Sequence, residues 1–309
     1  MNSATPYIKS KWRILFLFVG LGFLYLPILI LMAYSFNSSR LVTVWKSFSF
    51  HWYEALVQDV EFLHAIYLTF SIGFCAATMS VIIGTLAAFV LTRFNRFKGY
   101  GIFSFSITAP MIMPEVITGL SLLLMFIAMS NGSHALVQYL LESFNIQEGN
   151  FLYPFLMQLD GFPNRGVVTI WIAMVTFTSA YVTVIVRARL KETDLSIEEA
   201  ALDLGATPFK VFVFITLPSL LPAIMSGWLL AFTLTLDDIV ISQFVAGPKS
   251  TTLPMLVFSS VRRGVNPKIN ALATIIVLVV SFCVFLAWFF MRKREKRMLR
   301  EMKAIKNKG

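Results

Sequence analysis

Long charge-free stretches dominate the chain, and their lengths match a bilayer. A spanning helix needs about 20 consecutive apolar residues. Six windows qualify: 14–39 between Arg13 and Arg40, 65–92 between His64 and Arg93, 101–130 interrupted only by Glu115, 166–186 between Arg165 and Arg187, 211–236 ending in Asp237-Asp238, and 269–291 before a basic tail. They predict six transmembrane helices over about 14–36, 65–92, 101–130, 166–190, 211–243 and 269–291, and residues 1–309 read as a single transmembrane domain. The first window lacks a small-x-small cleavage site and is too long for a signal peptide, so it is expected to stay. Between the windows, 36–64 carries Trp45, Trp52 and Tyr53, aromatics suited to a membrane interface. The stretch 131–165 is polar and aromatic with little periodicity, and 136–144 within it could form a short amphipathic helix.

Composition supports this class. Apolar residues make up 57% and charged residues 14% of the 309, with 30 Phe and a mean hydropathy of +0.76. A soluble domain has about 25% charged residues. The chain therefore reads as an all-α integral membrane protein.

The net charge of +10 would suit nucleic acid, but its distribution does not. Nine basic residues and two acids fall in 292–308, directly after the last window, as in a cytoplasmic flank that anchors at membrane lipids. With the N-terminus inside, 19 of the 26 Lys and Arg lie on the cytoplasmic side; Lys249, Arg262, Arg263 and Lys268 are among the dissenters. Both termini are predicted to be cytoplasmic, and no nucleic-acid partner is expected. Cys75 and Cys283 lie inside apolar runs and read as buried thiols with no disulfide. His51, His64 and His134 are scattered, without metal-ligand spacing. No nucleophile-base constellation appears either, so the chain is not read as an enzyme.

The most informative segment lies between the fourth and fifth windows. Asp194-Leu-Ser-Ile-Glu-Glu-Ala-Ala-Leu-Asp-Leu-Gly205 reads as a short helix with both ends marked. Ser196 and Glu199 have the spacing of a capping box, and Gly205 offers a left-handed stop. Thr207-Pro208 then starts a new helix. Ala200 and Ala201 give the knob a slim face, while Glu192, Asp194, Glu198, Glu199 and Asp203 make it acidic. On local physics alone a solvated loop helix is the lesser reading.

Glu199-Ala200-Ala201, three residues, Gly205, nine residues, then Ile215-x-Leu217-Pro218 is similar to the EAA motif of permease subunits in ABC-type importers. The resemblance implies a type I ABC importer permease fold in which this short helix is the coupling helix. It would seat in a separate cytoplasmic ATPase dimer, with Ser196, Glu199, Ala200, Ala201, Gly205 and Pro218 in the coupling segment. The chain has no phosphate-binding loop of its own; Gly247-Pro248-Lys249-Ser250 mimics only the end of one. ATP and Mg are thus expected in the partner, and no cofactor or metal in this chain.

Three acids interrupt or end apolar windows: Glu115, Asp237 and Asp238. A charge at mid-membrane costs about 2.5–3.5 kcal/mol on insertion scales, so it usually faces a cavity or a partner. Asp237 and Asp238 point about 100° apart on a helix, so one should face a path while the other caps or hydrogen-bonds backbone. Acids on two spans suit a cargo with two cationic ends, with aromatic walls between them. Trp52 and Tyr53 could supply such walls, or Trp52 could be an interfacial anchor.

Phe36-Asn-Ser-Ser39, Met113-Pro-Glu-Val-Ile-Thr-Gly-Leu-Ser121, Leu236-Asp-Asp-Ile-Val-Ile-Ser242 and Gly264-Val-Asn-Pro-Lys-Ile-Asn-Ala-Leu-Ala-Thr274 resemble the permeases of bacterial polyamine importers along nearly the whole chain. That resemblance implies a substrate path through Trp52, Glu115 and Asp237, with Asp238 a weaker candidate. The family more often has Asp where this chain has Glu115. It also implies a homologous second permease, a periplasmic polyamine-binding protein, the bacterial inner membrane, and putrescine or spermidine as cargo. The alternative is a carrier for organic cations driven by an ion gradient, but repeated halves with matching broken helices, the mark of many such carriers, are not visible.

Overall fold

The computed structural model is helical almost throughout and describes residues 11–41, 44–94, 97–148, 150–264 and 266–282, with 285, 289 and 292 beyond them. The expectations for Arg96, Cys283 and the tail from 293 lie outside the described residues. Among the described residues five helices are long and apolar enough to cross a membrane, over Leu15–Tyr34, Val60–Arg93, Glu115–Ser143, Val167–Glu192 and Pro208–Asp237. Two shorter apolar helices, Tyr100–Ile112 and Pro267–Phe282, accompany them.

The chain divides into two compact units, 64–258 and a second formed by 1–63 with 259–309. In the larger unit the organising element is α7 (Val167–Glu192), against which α4 (Tyr100–Ile112), α10 (Leu217–Asp237) and α11 (Val240–Val245) pack. α7 buries twelve residues, five of them Ala or Thr. Small side chains let helix backbones approach closely where lipid removes any hydrophobic drive to associate. Hydroxyls add specific ties. Ser80 of α3 (Val60–Arg93) shares a 2.7 Å hydrogen bond with Thr178, and Thr169 donates to the Val245 carbonyl at 2.8 Å.

Three expectations change here. The 101–130 window is two helices, α4 and α5 (Glu115–Ser143), because Met113 is extended before Pro114. Proline disfavours helical geometry in the residue before it and brings no N–H of its own. α5 then runs on to Ser143, so 136–144 is its last stretch and not a separate helix. Ser130 and Ser133 hold that extension by donating to the carbonyls of Gly161 and Phe162, and α6 (Tyr153–Leu159) packs against it. Finally, Cys75 is exposed, not buried. The buried stripe of α3 runs through Leu68, Ile72 and Ala76, and Cys75 falls beside it.

In the second unit, α1 (Lys11–Tyr34) exposes apolar side chains on every face, from Phe16 at 72% to Phe23 at 79%. A helix apolar all round belongs in lipid or against other apolar surface. After it the chain doubles back: Ser38 N–H donates to the Ser47 carbonyl and Ser49 N–H to that of Phe36. Phe36, Phe48, Phe50 and Tyr53 pack on this hairpin with ring centroids 5.3–5.9 Å apart. Farther along, Asp59 accepts from the Glu61 and Phe62 backbone N–H groups at the start of α3. It also accepts from Lys268 Nζ at 2.7 Å, and this hydrogen bond holds its carboxyl below the usual carboxylate range. Lys268, one of the dissenting bases, is thus paired.

Candidate substrate path and coupling segment

The acids separate into different roles. α10 ends at Asp237, and the next residue turns extended. Asp238 is buried and accepts from the backbone N–H groups of Ile241 (3.2 Å) and Ser242 (2.8 Å), capping α11. The predicted helix to 243 is therefore interrupted at 238–239. Asp237 is exposed, and so is Glu115 at the first position of α5. Among the described residues neither carboxylate has a hydrogen-bond or ion-pair partner. α5 and α11 cross at Gly119, where a Cβ would stand 2.7 Å from Phe244 Cδ2 and 3.3 Å from Ile241 Cα. Glu115 lies about one turn before that crossing on α5, and Asp237 four residues before Ile241.

Trp52 sits in the other unit, in α2 (His51–Val57), where it is buried. Its indole Nε1 donates to the Asn37 carbonyl at 2.7 Å. Asn37 is the hub of the hairpin: its Nδ2 donates to the Val44 carbonyl, and its Oδ1 accepts from the Ser39 and Lys46 N–H groups. The sequence singled out Trp52 itself, and Asn37 only within the Phe36-Asn-Ser-Ser39 resemblance. A single buried Asn has no spacing signature.

The segment after α7 forms α8 (Leu195–Asp203). Its N-cap is Asp194, which accepts from Ser196 N–H at 3.0 Å. That hydrogen bond keeps the Asp194 carboxyl below its usual range. The expected Ser196–Glu199 capping box is absent because Asp194 starts the helix earlier and satisfies the Ser196 amide itself. At the other end Gly205 adopts φ +87°. The bonds Gly205 N–H to Leu202 carbonyl (2.9 Å) and Ala206 N–H to Ala201 carbonyl (3.1 Å) complete a Schellman closure. Thr207 stands at the N-cap of α9 (Pro208–Val211) without a side-chain bond. A π-turn at Phe212–Thr216 follows, directly before Leu217-Pro218.

α8 buries no residue, and Leu195, Glu199, Ala200 and Leu202 are all exposed. Leu195, Glu199 and Leu202 share one face by helical spacing. Glu198 lies at the edge of the same face, and its side chain is engaged within the chain. It receives Arg93 Nε at 3.0 Å, Arg93 Nη2 at 2.6 Å and Thr216 Oγ1 at 3.0 Å. Sequence reasoning counted Glu198 only as part of an acidic loop, since its partners lie 105 and 18 residues away. Gly247–Ser250, the partial match to a phosphate loop, is a closed turn in which Gly247 N–H donates to Ser250 Oγ and Ser250 Oγ donates to the Gly247 carbonyl.

Residues 80–300 match the family of binding-protein-dependent transport system inner membrane components. The chain belongs to this family. It is 53% identical over 298 residues to the putrescine transport system permease protein PotI of Escherichia coli K12, covering 96% of both chains. It is 36% identical over 278 residues to the spermidine/putrescine transport system permease protein PotC of Haemophilus influenzae, covering 90% of this chain and 95% of that one. A subunit of a bacterial ABC transporter that imports the acidic polysaccharide alginate shares the fold, with a TM-score of 0.63, 16% identity and coverage of 94% and 99%. Membership of this family makes the chain a transport permease of the inner membrane and decides against the gradient-driven carrier. The EAA spacing around α8 is consistent with such a permease.

Proposed function

We propose that this chain is one of two permease subunits of an ATP-driven putrescine importer in the bacterial inner membrane. The observation that carries the reading is the 53% identity, over nearly the full length of both chains, to a putrescine permease. The architecture we assign is the type I fold with six membrane crossings in one permease domain. The sixth includes Pro267–Phe282, and both termini are cytoplasmic. α8 is the coupling helix: its exposed Leu195–Glu199–Leu202 stripe seats in a cytoplasmic ATPase dimer that holds ATP and Mg. A homologous second permease completes the path, and a periplasmic binding protein delivers the cargo.

Along that path Glu115 and Asp237 meet the cationic ends of the diamine. An unpaired carboxylate in an apolar setting is costly, and a passing ammonium offsets that cost. Asp238 is committed to backbone and serves the fold. Trp52 contributes through the hairpin it pins, since its N–H is engaged by Asn37. Spermidine, longer by an aminopropyl arm, is the other polyamine to compare. The test is uptake of labelled putrescine by cells expressing each variant. Asp237→Asn should reduce uptake at least about tenfold, the loss of one charge-assisted contact. Asp238→Asn, which keeps an acceptor oxygen, should change it less than about threefold. Equal losses with equal membrane levels would remove Asp237 from the path.

A further inference from the structure

We propose that Arg93, Glu198 and Thr216 form a force-bearing latch that couples α8 to the bundle, and that this latch transmits the ATPase stroke to the spans. The proposal rests on the reading of α8 as the coupling helix and adds the residues through which it pulls. The first observation is what α8 lacks. It has nine residues and buries none of them. A helix of two to three turns is not stable by itself, and without a buried face packing cannot fix its angle. Something polar must hold it.

Glu198 is the group in position to do so. Its carboxylate takes two parallel hydrogen bonds from Arg93, the last residue of α3, and a third from Thr216. A bidentate guanidinium–carboxylate pair fixes orientation as well as distance, which a lysine would not. Both side chains of the pair are only 12% exposed, so water screens them little. Thr216 is buried at 1% and closes the π-turn. Pro218 explains that turn: it brings no N–H, and in a regular helix its ring would press on the Phe214 carbonyl. A π-turn is a common relief, often found at functional positions. The motif proline therefore shapes the turn that presents Thr216 to Glu198. Three donors from two elements make Glu198 a pivot between α3 and the start of α10. The neighbouring Glu199 remains exposed for a partner.

A latch and a docking face make different predictions. The experiment uses the complete transporter, with both permeases, the ATPase and the binding protein, in proteoliposomes. It measures ATPase co-purification, ATP hydrolysis and labelled putrescine uptake. Arg93→Ala and Glu198→Ala should retain the ATPase, while putrescine moved per ATP hydrolysed falls at least about tenfold as the bidentate pair is lost. The exchange Arg93→Glu with Glu198→Arg restores a pair, and Thr216 Oγ can accept from the new guanidinium. It should recover the ratio to within about threefold of the wild type. Where the alanine variants fail to reach the membrane, Thr216→Val, which removes one of three bonds, should lower the ratio about two- to threefold.

An unchanged ratio in the alanine variants, or in Thr216→Val where that variant stands in, overturns the proposal. So does an exchange variant that reaches the membrane yet couples no better than the single variants. Glu199→Lys separates this from the underlying reading. If it abolishes ATPase association while Glu198→Ala leaves the ratio intact, only the latch falls. If Glu199→Lys binds and couples normally, the coupling-helix reading fails and the latch with it.

Discussion

α7 and α8 are adjacent helices joined by a two-residue turn, yet they are held by opposite means. α7 buries twelve side chains and serves as the packing centre of its unit. α8 buries none and is tied through one carboxylate to Arg93 and Thr216. Packing along a face consumes that face. A polar tie at one residue leaves the rest of the helix surface available. The difference teaches how a short segment can be fixed to its own bundle without being buried in it.

The sharpest way to break the comparison is to place the same charge in both helices. Val182 is fully buried, and a Cβ at Gly84 of α3 would come within 2.8 Å of its Cβ, so nothing there can yield. Val182→Asp should reduce the membrane level of the chain at least about tenfold, since an unpaired charge among packed helices costs several kcal/mol. Leu195→Asp on the exposed face of α8 should leave that level within about twofold, as exposed substitutions usually do, while weakening ATPase co-purification. Similar losses of membrane level, seen on immunoblots of membrane fractions, would erase the distinction.

A smaller effect is expected at the closure of α8. Gly205 holds φ +87°, a region in which a β-branched residue is an outlier. Gly205→Val should cost about 1–3 kcal/mol of local strain. Because α8 contributes no fully buried residue, the loss should appear in transport per ATP and not in membrane level. A thermal transition of the purified chain that drops together with coupling would show the bundle relying on α8 after all.

The smallest effect concerns the start of α8. Asp194 is held below the ordinary carboxylate range by the Ser196 N–H. A depressed carboxyl contributes stability that is fully present above the ordinary value of about 3.9 and is lost as pH falls below it through the folded value. Amide exchange at Ser196 should therefore accelerate, relative to its intrinsic rate, only below that range. Exchange at Ile170 and Met174, buried in α7, should show no such step. A step near neutral pH would assign the cap to another group.

Much of this was legible from residue order. The apolar windows located the helices, and Glu199-Ala200-Ala201 with Gly205 and Leu217-Pro218 carried the resemblance to the transport family because a motif is a spacing. Gly205 was legible as a stop because only its conformational freedom suits that position. Where local order misled, a nearby residue competed better: Asp194 displaced the Ser196–Glu199 box, and Pro114 divided the third window. The acids Asp237 and Asp238 were legible as a pair. Which of them caps α11 depended on where α10 stopped, since a backbone N–H must be within reach to be capped.

The sequence by itself determined a membrane chain of this transport family, with its apolar helices, its EAA spacing and the acids at the ends of its apolar windows. Those properties rest on composition and on spacings a few residues long. Only the tertiary structure decided that Glu198, not its neighbour in the motif, is the residue tied to the bundle. It also decided that Asp238 caps α11 and that Asn37 receives Trp52. The physical reason is distance along the chain. A hydrogen bond between residues 105 apart has no period in the sequence, and it exists only once packing has brought α3 and α8 to the same place.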